Sequence, residues 1–271
     1  MKSAISVENL SFAYEKKPVL KNISFSIYTG DFFIIIGPNG SGKTTLMKIL
    51  AGTLKPQSGQ LDIFGSAIQT FNRKSLARTI ALVPQMVPLE FPFNVLEFVL
   101  MGRYPHLGLF GWEQSKDFEV AEQAMEFTDL KHLARRKMNQ LSGGERQRVL
   151  ISRAICQQSQ IILLDEPTAS LDLAYQVQVM DLMEKLKEET GTTVIMVSHD
   201  VNLAALYGTK LMLLKDGQIV KQGQPEDVLT FQNLELAYGC KLLVDESPLG
   251  NSPRVTLVPK KFLAQSKDYL E

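Results

Sequence analysis

The chain has 271 residues, enough for one large domain or two modest ones, and 45% of them are apolar, as in a protein that buries a sizeable core. Its 29 lysines and arginines are balanced by 29 aspartates and glutamates, so the basic excess typical of nucleic-acid binding is missing. No stretch approaches the roughly 18 apolar residues of a membrane span, and Met1 to Asn9 lack the apolar run of a signal peptide, so neither is expected.

The chain begins with residues that alternate in the strand manner, Ile5 to Phe12 and then Ile23 to Ile27, which predicts antiparallel strands with one wet face. The run Phe32 to Ile36 is wholly apolar and leads into Gly37-Pro38-Asn39-Gly40-Ser41-Gly42-Lys43-Thr44-Thr45. A strand that enters glycines and then a helix is a phosphate cradle. Backbone N–H groups and the positive end of the following helix converge on an anion, and a Cβ would obstruct both the turn and the approach of phosphate oxygens. Lys43 would neutralise the outer phosphates, and the Thr44 hydroxyl would hold Mg²⁺. A helix is expected over Thr44 to Leu54.

Three further apolar runs, Ile80–Val83, Ile161–Leu164 and Val194–Val197, have the texture of strands buried on both faces of a parallel sheet. Such sheets collect their chemistry beyond the carboxyl ends of the strands. There the sequence places Gln85, then Asp165 with Glu166, then Ser198 with His199. All would converge on one triphosphate. Asp165 would bind Mg²⁺ and Glu166 would act as general base. Gln85 would orient the attacking water and touch the metal, and His199 would hydrogen-bond the γ-phosphate. Between Val87 and Met138 the pattern turns helical, at Asn94 to Met101 and at Lys116 to Thr128 continuing through Leu130 to Ala134, which predicts an inserted helical subdomain over about residues 87–158.

Leu141-Ser142-Gly143-Gly144-Glu145 opens another helix, with Ser142 and Glu145 spaced as a capping box. Two glycines at a helix start make a second anion site. One chain holding one nucleotide has no use for two such sites, so a dimer is expected in which each chain's second site closes over the other's nucleotide. A helix follows from Tyr175 to Lys187, and Lys210 to Val220 reads as a hairpin around Asp216-Gly217. The two cysteines, Cys156 and Cys240, have no metal spacing and are expected to be reduced and packed in the core. Residues 241–271 carry no pattern that assigns a structure.

These motifs, in this order, resemble the ATP-binding cassette family over nearly the whole chain. The resemblance identifies Gly37 to Thr45 as Walker A, Gln85 as the Q-loop glutamine, and Leu141 to Glu145 as the signature, with Glu145 where Gln is common. It identifies Ile161 to Glu166 as Walker B, Ser170-Leu171-Asp172 as the D-loop and His199 as the switch histidine. Tyr14 stands where family members stack an aromatic on adenine; a core role is the other reading of that residue. The family implies an α/β fold, a P-loop NTPase with a RecA-like core, an antiparallel β subdomain and the helical insertion. It places the nucleotide-binding domain at residues 1–240 and an extension at 241–271. It also implies ATP and Mg²⁺, and a homodimer of ATPase subunits on the cytoplasmic face of the cell membrane, docked on a permease that an extracytoplasmic binding protein supplies.

Within the family, Val99 to Gly108, with its Gly102-Arg103-Tyr104-Pro105-His106 core, resembles importers of iron–siderophore complexes, haem or vitamin B12. Zinc and manganese importers carry a similar Gly-Arg segment and are the alternative cargo class. This segment and Gln85 to Phe93 are the expected permease groove, with Phe91, Pro92 and Phe93 read either as contact area or as core. Cassette ATPases that work on chromosomes or ribosomes resemble two fused cassettes, or one split by a long coiled coil. This chain has a single motif set and a compact insert.

Overall fold

The computed structural model describes residues 2–85, 92–108, 111–169, 171–250 and 252–263. Phe91 of the expected groove and Ser170 of the expected D-loop lie outside them.

The first two strands, β1 (Ser3–Tyr14) and β2 (Lys17–Tyr28), pair antiparallel, and β4 (Ser58–Ile63) and β5 (Ser66–Ala67) extend this sheet in the order β2-β1-β4-β5. The central sheet has the order β10-β9-β3-β8-β7-β6. Its strands are β3 (Phe32–Ile36), β6 (Ile80–Val83), β7 (Ile161–Asp165), β8 (Thr193–Val197), β9 (Lys210–Lys215) and β10 (Gln218–Gly223). Its pairs are parallel except β9 with β10, which form the expected hairpin. Both turn residues of that hairpin, Asp216 (φ 48°) and Gly217 (φ 77°), are left-handed, as a two-residue turn between twisted strands requires.

The wholly apolar strands are explained by what lies on each side. Successive side chains point to opposite faces. Phe32, Ile34 and Ile36 pack with Leu164, Met196 and Leu213 into the core under the helical elements. Phe33 and Ile35 pack with Leu163, Val197, Met212 and Leu214 into a second core shared with the antiparallel sheet and with α1 (Lys43–Leu50). Each such enclosed side chain contributes about 1.5–3 kcal/mol. The helix expected to reach Leu54 stops at Leu50, because Gly52 adopts a left-handed φ of 69° just beyond it.

The helical layer consists of α3 (Val95–Leu100), α4 (Ser115–Phe127) and α5 (Gly143–Cys156), packed on one another. Asn94 and Glu97 form a capping box at the start of α3. The expected continuation of α4 through Ala134 fails at Asp129, whose φ of 54° breaks the helix, and Lys131–Leu133 form only a short 3-10 turn. Among the described residues no helix is long and apolar enough to cross a membrane.

The segment Met101–His106 is a 3-10 turn, and its charged groups point inward. Arg103 is buried and donates to Asp117 Oδ1, to the Cys156 carbonyl and to Gln158 Oε1, each at 2.9 Å. His106 Nε2 donates to the Gln157 carbonyl (2.8 Å). Two basic side chains thus satisfy the last carbonyls of α5, the favourable end of a helix for positive charge. Gly102 is required, since a Cβ there would lie 2.3 Å from the Arg153 carbonyl oxygen. Gln157 in turn donates to the carbonyls of Ala77 and Ile80 (2.9 Å for Ile80), at the junction of α2 (Arg73–Thr79) with β6. Of the motif residues, Tyr104 is the large side chain left exposed.

The remaining elements are α6 (Leu173–Thr190), α7 (Val201–Tyr207), α8 (Pro225–Val228), α9 (Phe231–Tyr238), the hairpin β11 (Leu242–Glu246) and β12 (Pro253–Leu257), and α10 (Lys260–Leu263). The hairpin had no counterpart in the sequence reading. It packs on α7 and α9. Cys156 is buried, as expected, and burial pushes its thiol up to about 12. Cys240 is exposed, against expectation, because Gly239 ends α9 in a left-handed turn and the chain emerges at the surface there.

Replacing Arg103 with Ala strands the Asp117 carboxylate in a buried site. The expected cost is about 3–5 kcal/mol, read as a lower urea midpoint at unchanged slope.

Candidate active site

The loop after β3 is shaped by steric necessity. A Cβ on Gly37 (φ 146°) would lie 2.1 Å from the Leu214 carbonyl oxygen, and one on Gly42 (φ 104°) 2.8 Å from the Leu20 side chain. Both positions need glycine. The loop runs Gly37, Pro38, Asn39, Gly40, Ser41, with Gly42 as N-cap of α1, so the helix starts where the loop ends. Asn39 and Gly40 are exposed and Ser41 is buried, its hydroxyl without a partner. The Lys43 ammonium is buried and donates to the carbonyls of Gly37 (2.9 Å) and Pro38 (3.0 Å). Burial lowers its pKa, against the opposing pull of Glu166 and Asp165. A lysine desolvated in this way, with its ammonium on two backbone carbonyls, is prepared for an anion.

An open cleft of about 610 Å³ lies over this loop. Tyr14, Lys17, Lys21, Asn39 to Thr45, Glu166 and Asp216 line it. Tyr14 is 46% exposed, its ring edge-on to Phe12 at 4.9 Å, which takes it out of the core and puts it at the mouth. The sequence reading missed Lys17, Lys21 and Asp216. The Asp216-Gly217 turn is the informative case: Gly217 N–H donates to the Ser41 carbonyl (3.1 Å), and its own carbonyl accepts from Lys21 N–H (2.9 Å). A turn legible only as a hairpin end is thus a wall of the phosphate loop.

Beyond the strand ends the expected polar groups gather. The Thr44 hydroxyl donates to Asp165 Oδ1 (3.3 Å). Burial raises the Asp165 pKa, and Glu166 raises it further. A hydroxyl beside a desolvated carboxylate is a pair of hard oxygen donors that a small divalent cation would relieve, so the residues fit Mg²⁺. Among the described residues no cluster of three His, Cys, Asp or Glu side chains could hold a metal by itself, consistent with a cation that relies on phosphate oxygens as well.

Glu166 sits next to Asp165 in a left-handed backbone conformation (φ 52°), a strained state for a non-glycine residue. Its side chain is nearly buried, and Gln85 Nε2 donates to Oε2 while His199 Nε2 donates to Oε1, both at 2.5 Å. The sheet order explains the convergence. Glu166 follows β7, Gln85 follows β6 and His199 follows β8, the two neighbours of β7. His199, expected on a phosphate, is here on the carboxylate.

Ser142, Gly143, Gly144, Glu145 and Asp172 do not line the cleft of their own chain. Ser142 and Glu145 form the capping box of α5 (Ser142 N to Glu145 Oε2, 2.7 Å; Glu145 N to Ser142 Oγ, 3.2 Å), and Ser142 and Gly143 are exposed. The cap explains Ser142 and Glu145 but not the glycine pair. Gly144 is needed for packing, since a Cβ there would lie 2.6 Å from the Tyr175 ring, whereas one on Gly143 would meet nothing within 4 Å. Asp172 caps α6, accepting from Tyr175 N–H at 3.0 Å.

The chain is similar to known proteins over most of its length. Residues 20–169 match the ABC transporter family model. The chain is 38% identical over 248 residues to the ferric enterobactin transport ATP-binding protein FepC of Escherichia coli K12, covering 92% of each. An inward-facing ABC transporter described as of metal-chelate type is 34% identical with a TM-score of 0.86, over 97% of this chain and 100% of that one. The bacterial cassette MJ0796, solved as a dimer, is 32% identical with a TM-score of 0.72, over 81% of this chain and 98% of that one.

The two signature glycines differ in their surroundings and so in their tolerance. Gly144→Ala is expected to lower the thermal midpoint through overpacking of about 1–3 kcal/mol, relieved in combination with Tyr175→Ala. Gly143→Ala leaves the midpoint unchanged in the same scan.

Proposed function

The chain belongs to the ABC transporter family, and we propose that it is the ATP-hydrolysing subunit of an iron-chelate importer. The observation that carries the hydrolytic part is the Glu166 carboxylate, held between Gln85 and His199 at the edge of the phosphate-loop cleft. The cargo class rests on the likeness to a ferric enterobactin transport protein and to a metal-chelate type transporter.

In this reading the ATP phosphates lie on Gly37 to Thr45. Lys43 leaves its carbonyl partners for the outer phosphates, and Tyr14 stacks on adenine. Thr44, Asp165 and Gln85 would hold Mg²⁺, which would supply charge neutralisation for phosphoryl transfer. Glu166 takes a proton from the attacking water. Gln85 orients that water, and His199 moves between Glu166 and the γ-phosphate. Residues 1–240 form the nucleotide-binding domain, with the helical insertion at about 87–158, and residues 241–271 extend it.

A second copy completes the site. Ser142 and Gly143 are exposed and do not line their own chain's cleft, which is the placement a group acting across a head-to-tail dimer needs. Asp172 caps the helix whose Tyr175 ring packs on Gly144, beside those two residues in the chain. The dimer docks on a separate permease at the cytoplasmic face of the membrane, and an extracytoplasmic binding protein delivers cargo to the permease.

Glu166→Gln keeps the hydrogen-bonding shape and loses the base. The expected outcome is retained ATP binding, a dimer trapped with ATP, and turnover reduced by at least about 10². Near-normal phosphate release by this variant removes Glu166 as the base.

A further inference from the structure

The C-terminal hairpin is tied to the catalytic loop by one side chain. Asn202 is the second residue of α7 and lies three positions after His199. Its Oδ1 accepts from Val255 N–H (2.7 Å) and its Nδ2 donates to the Val255 carbonyl (3.1 Å). An amide side chain that satisfies both backbone groups of one strand residue imitates a neighbouring strand. Val255 is buried at the centre of β12, paired with Val244 of β11.

The connection from Val255 to the carboxylate is short. Ser198-His199-Asp200 is the whole span between the end of β8 and the start of α7. Its first end is fixed, because Ser198 N–H donates to the Ile35 carbonyl of the central sheet (3.1 Å). Asp200 caps α7 by accepting from Asn202 and Leu203 N–H (2.8 and 2.9 Å), which sets the local turn but not where the helix lies. The middle of α7 is seated in the core by the buried Ala204 and Ala205, and its two ends are held by side-chain contacts. Tyr207 OH donates to Asp181 on α6 (2.6 Å) at its far end, and Asn202 grips β12 at its near end. A cleft of about 450 Å³ is lined by Glu166 and His199 together with Tyr238, Leu242, Val255 and Leu257. His199 meets Glu166 in this cleft, and the backbone that carries it runs directly into the start of α7.

We propose that Asn202 is a positioning residue for hydrolysis: by pinning β12 to the first turn of α7 it holds His199 on Glu166, and the C-terminal hairpin is thereby part of the catalytic apparatus. The proposal rests on the reading of Glu166 and His199 as the hydrolytic pair. Misplacing a group that acts on the reacting atoms costs rate rather than substrate affinity.

The test is a double-mutant cycle on the full-length chain, reading steady-state ATP turnover at saturating Mg²⁺. Asn202→Ala is expected to lower kcat about tenfold with KM for ATP within about twofold of the parent. In a His199→Ala background the same change is expected to cost less than about twofold, because the group it positions is already gone. Equal losses in both backgrounds, or an unchanged kcat in the single variant, overturn the proposal. Asn202→Asp keeps the shape and the acceptor but cannot donate to the Val255 carbonyl. It is carried through the same cycle, so poor folding of the alanine variant does not leave the matter open, and equal losses there are equally fatal. Glu166→Gln run alongside separates the two levels. If that variant turns over normally the hydrolytic reading itself fails, whereas an inactive Glu166→Gln with additive Asn202 losses sinks the positioning role alone.

Discussion

Three adjacent parallel strands meet at one carboxylate. Glu166 leaves β7 in a strained left-handed conformation, and its two oxygens accept from the residues that leave the flanking strands, Gln85 and His199. That constraint orders the rest of the molecule. Strands can be this close and this apolar only if both faces of the sheet are covered, which is the work of the antiparallel sheet on one side and the helices on the other. Because all of these strands point the same way, the ends that carry chemistry share one edge with the phosphate loop. The strain at Glu166 is tolerable because it directly follows a fully buried strand and its carboxylate is held by Gln85 and His199.

The site is economical in its use of polar groups. Lys43 and Asp165 are both buried, and burial pushes each toward its neutral form. They are of opposite sign and lie near one another, so each partly relieves the other. What would relieve both fully is a ligand bearing phosphate oxygens and a cation together. The buried Ser41 hydroxyl, without a partner among the described residues, is a further polar group that such a ligand could satisfy.

Much of this was legible before any coordinates. Glycines at positions 37 and 42, the apolar strands and the residues following them all follow from local rules of sterics and period, and those rules act within a few residues. What escaped depended on partners distant in sequence. Asp216-Gly217 announces a hairpin, but nothing local says that its backbone will bond to Ser41 and Lys21. Arg103 and His106 read as part of an expected permease groove until Asp117 and the end of α5 are brought to them. Asp129 adopts a left-handed conformation that an aspartate tolerates but does not announce, so one helix was read as longer than it is. The strands after Gly239 are short, with partly exposed faces, and their alternation is too brief to stand out from a polar tail.

The joint at the tail of α5 has a mechanical meaning. The helix that presents Ser142 and Gly143 at one end is pinned at the other by Arg103 and His106, and Gln157 beside them grips the carbonyls where α2 becomes β6. β6 is the strand that ends next to Gln85. A rigid swing of the helical layer therefore either snaps Gln157 from its two acceptors or tugs on the strand that delivers the glutamine. The tail of α5 is thus joined through Gln157 to the strand that leads to Gln85, and Gln85 in turn to the carboxylate.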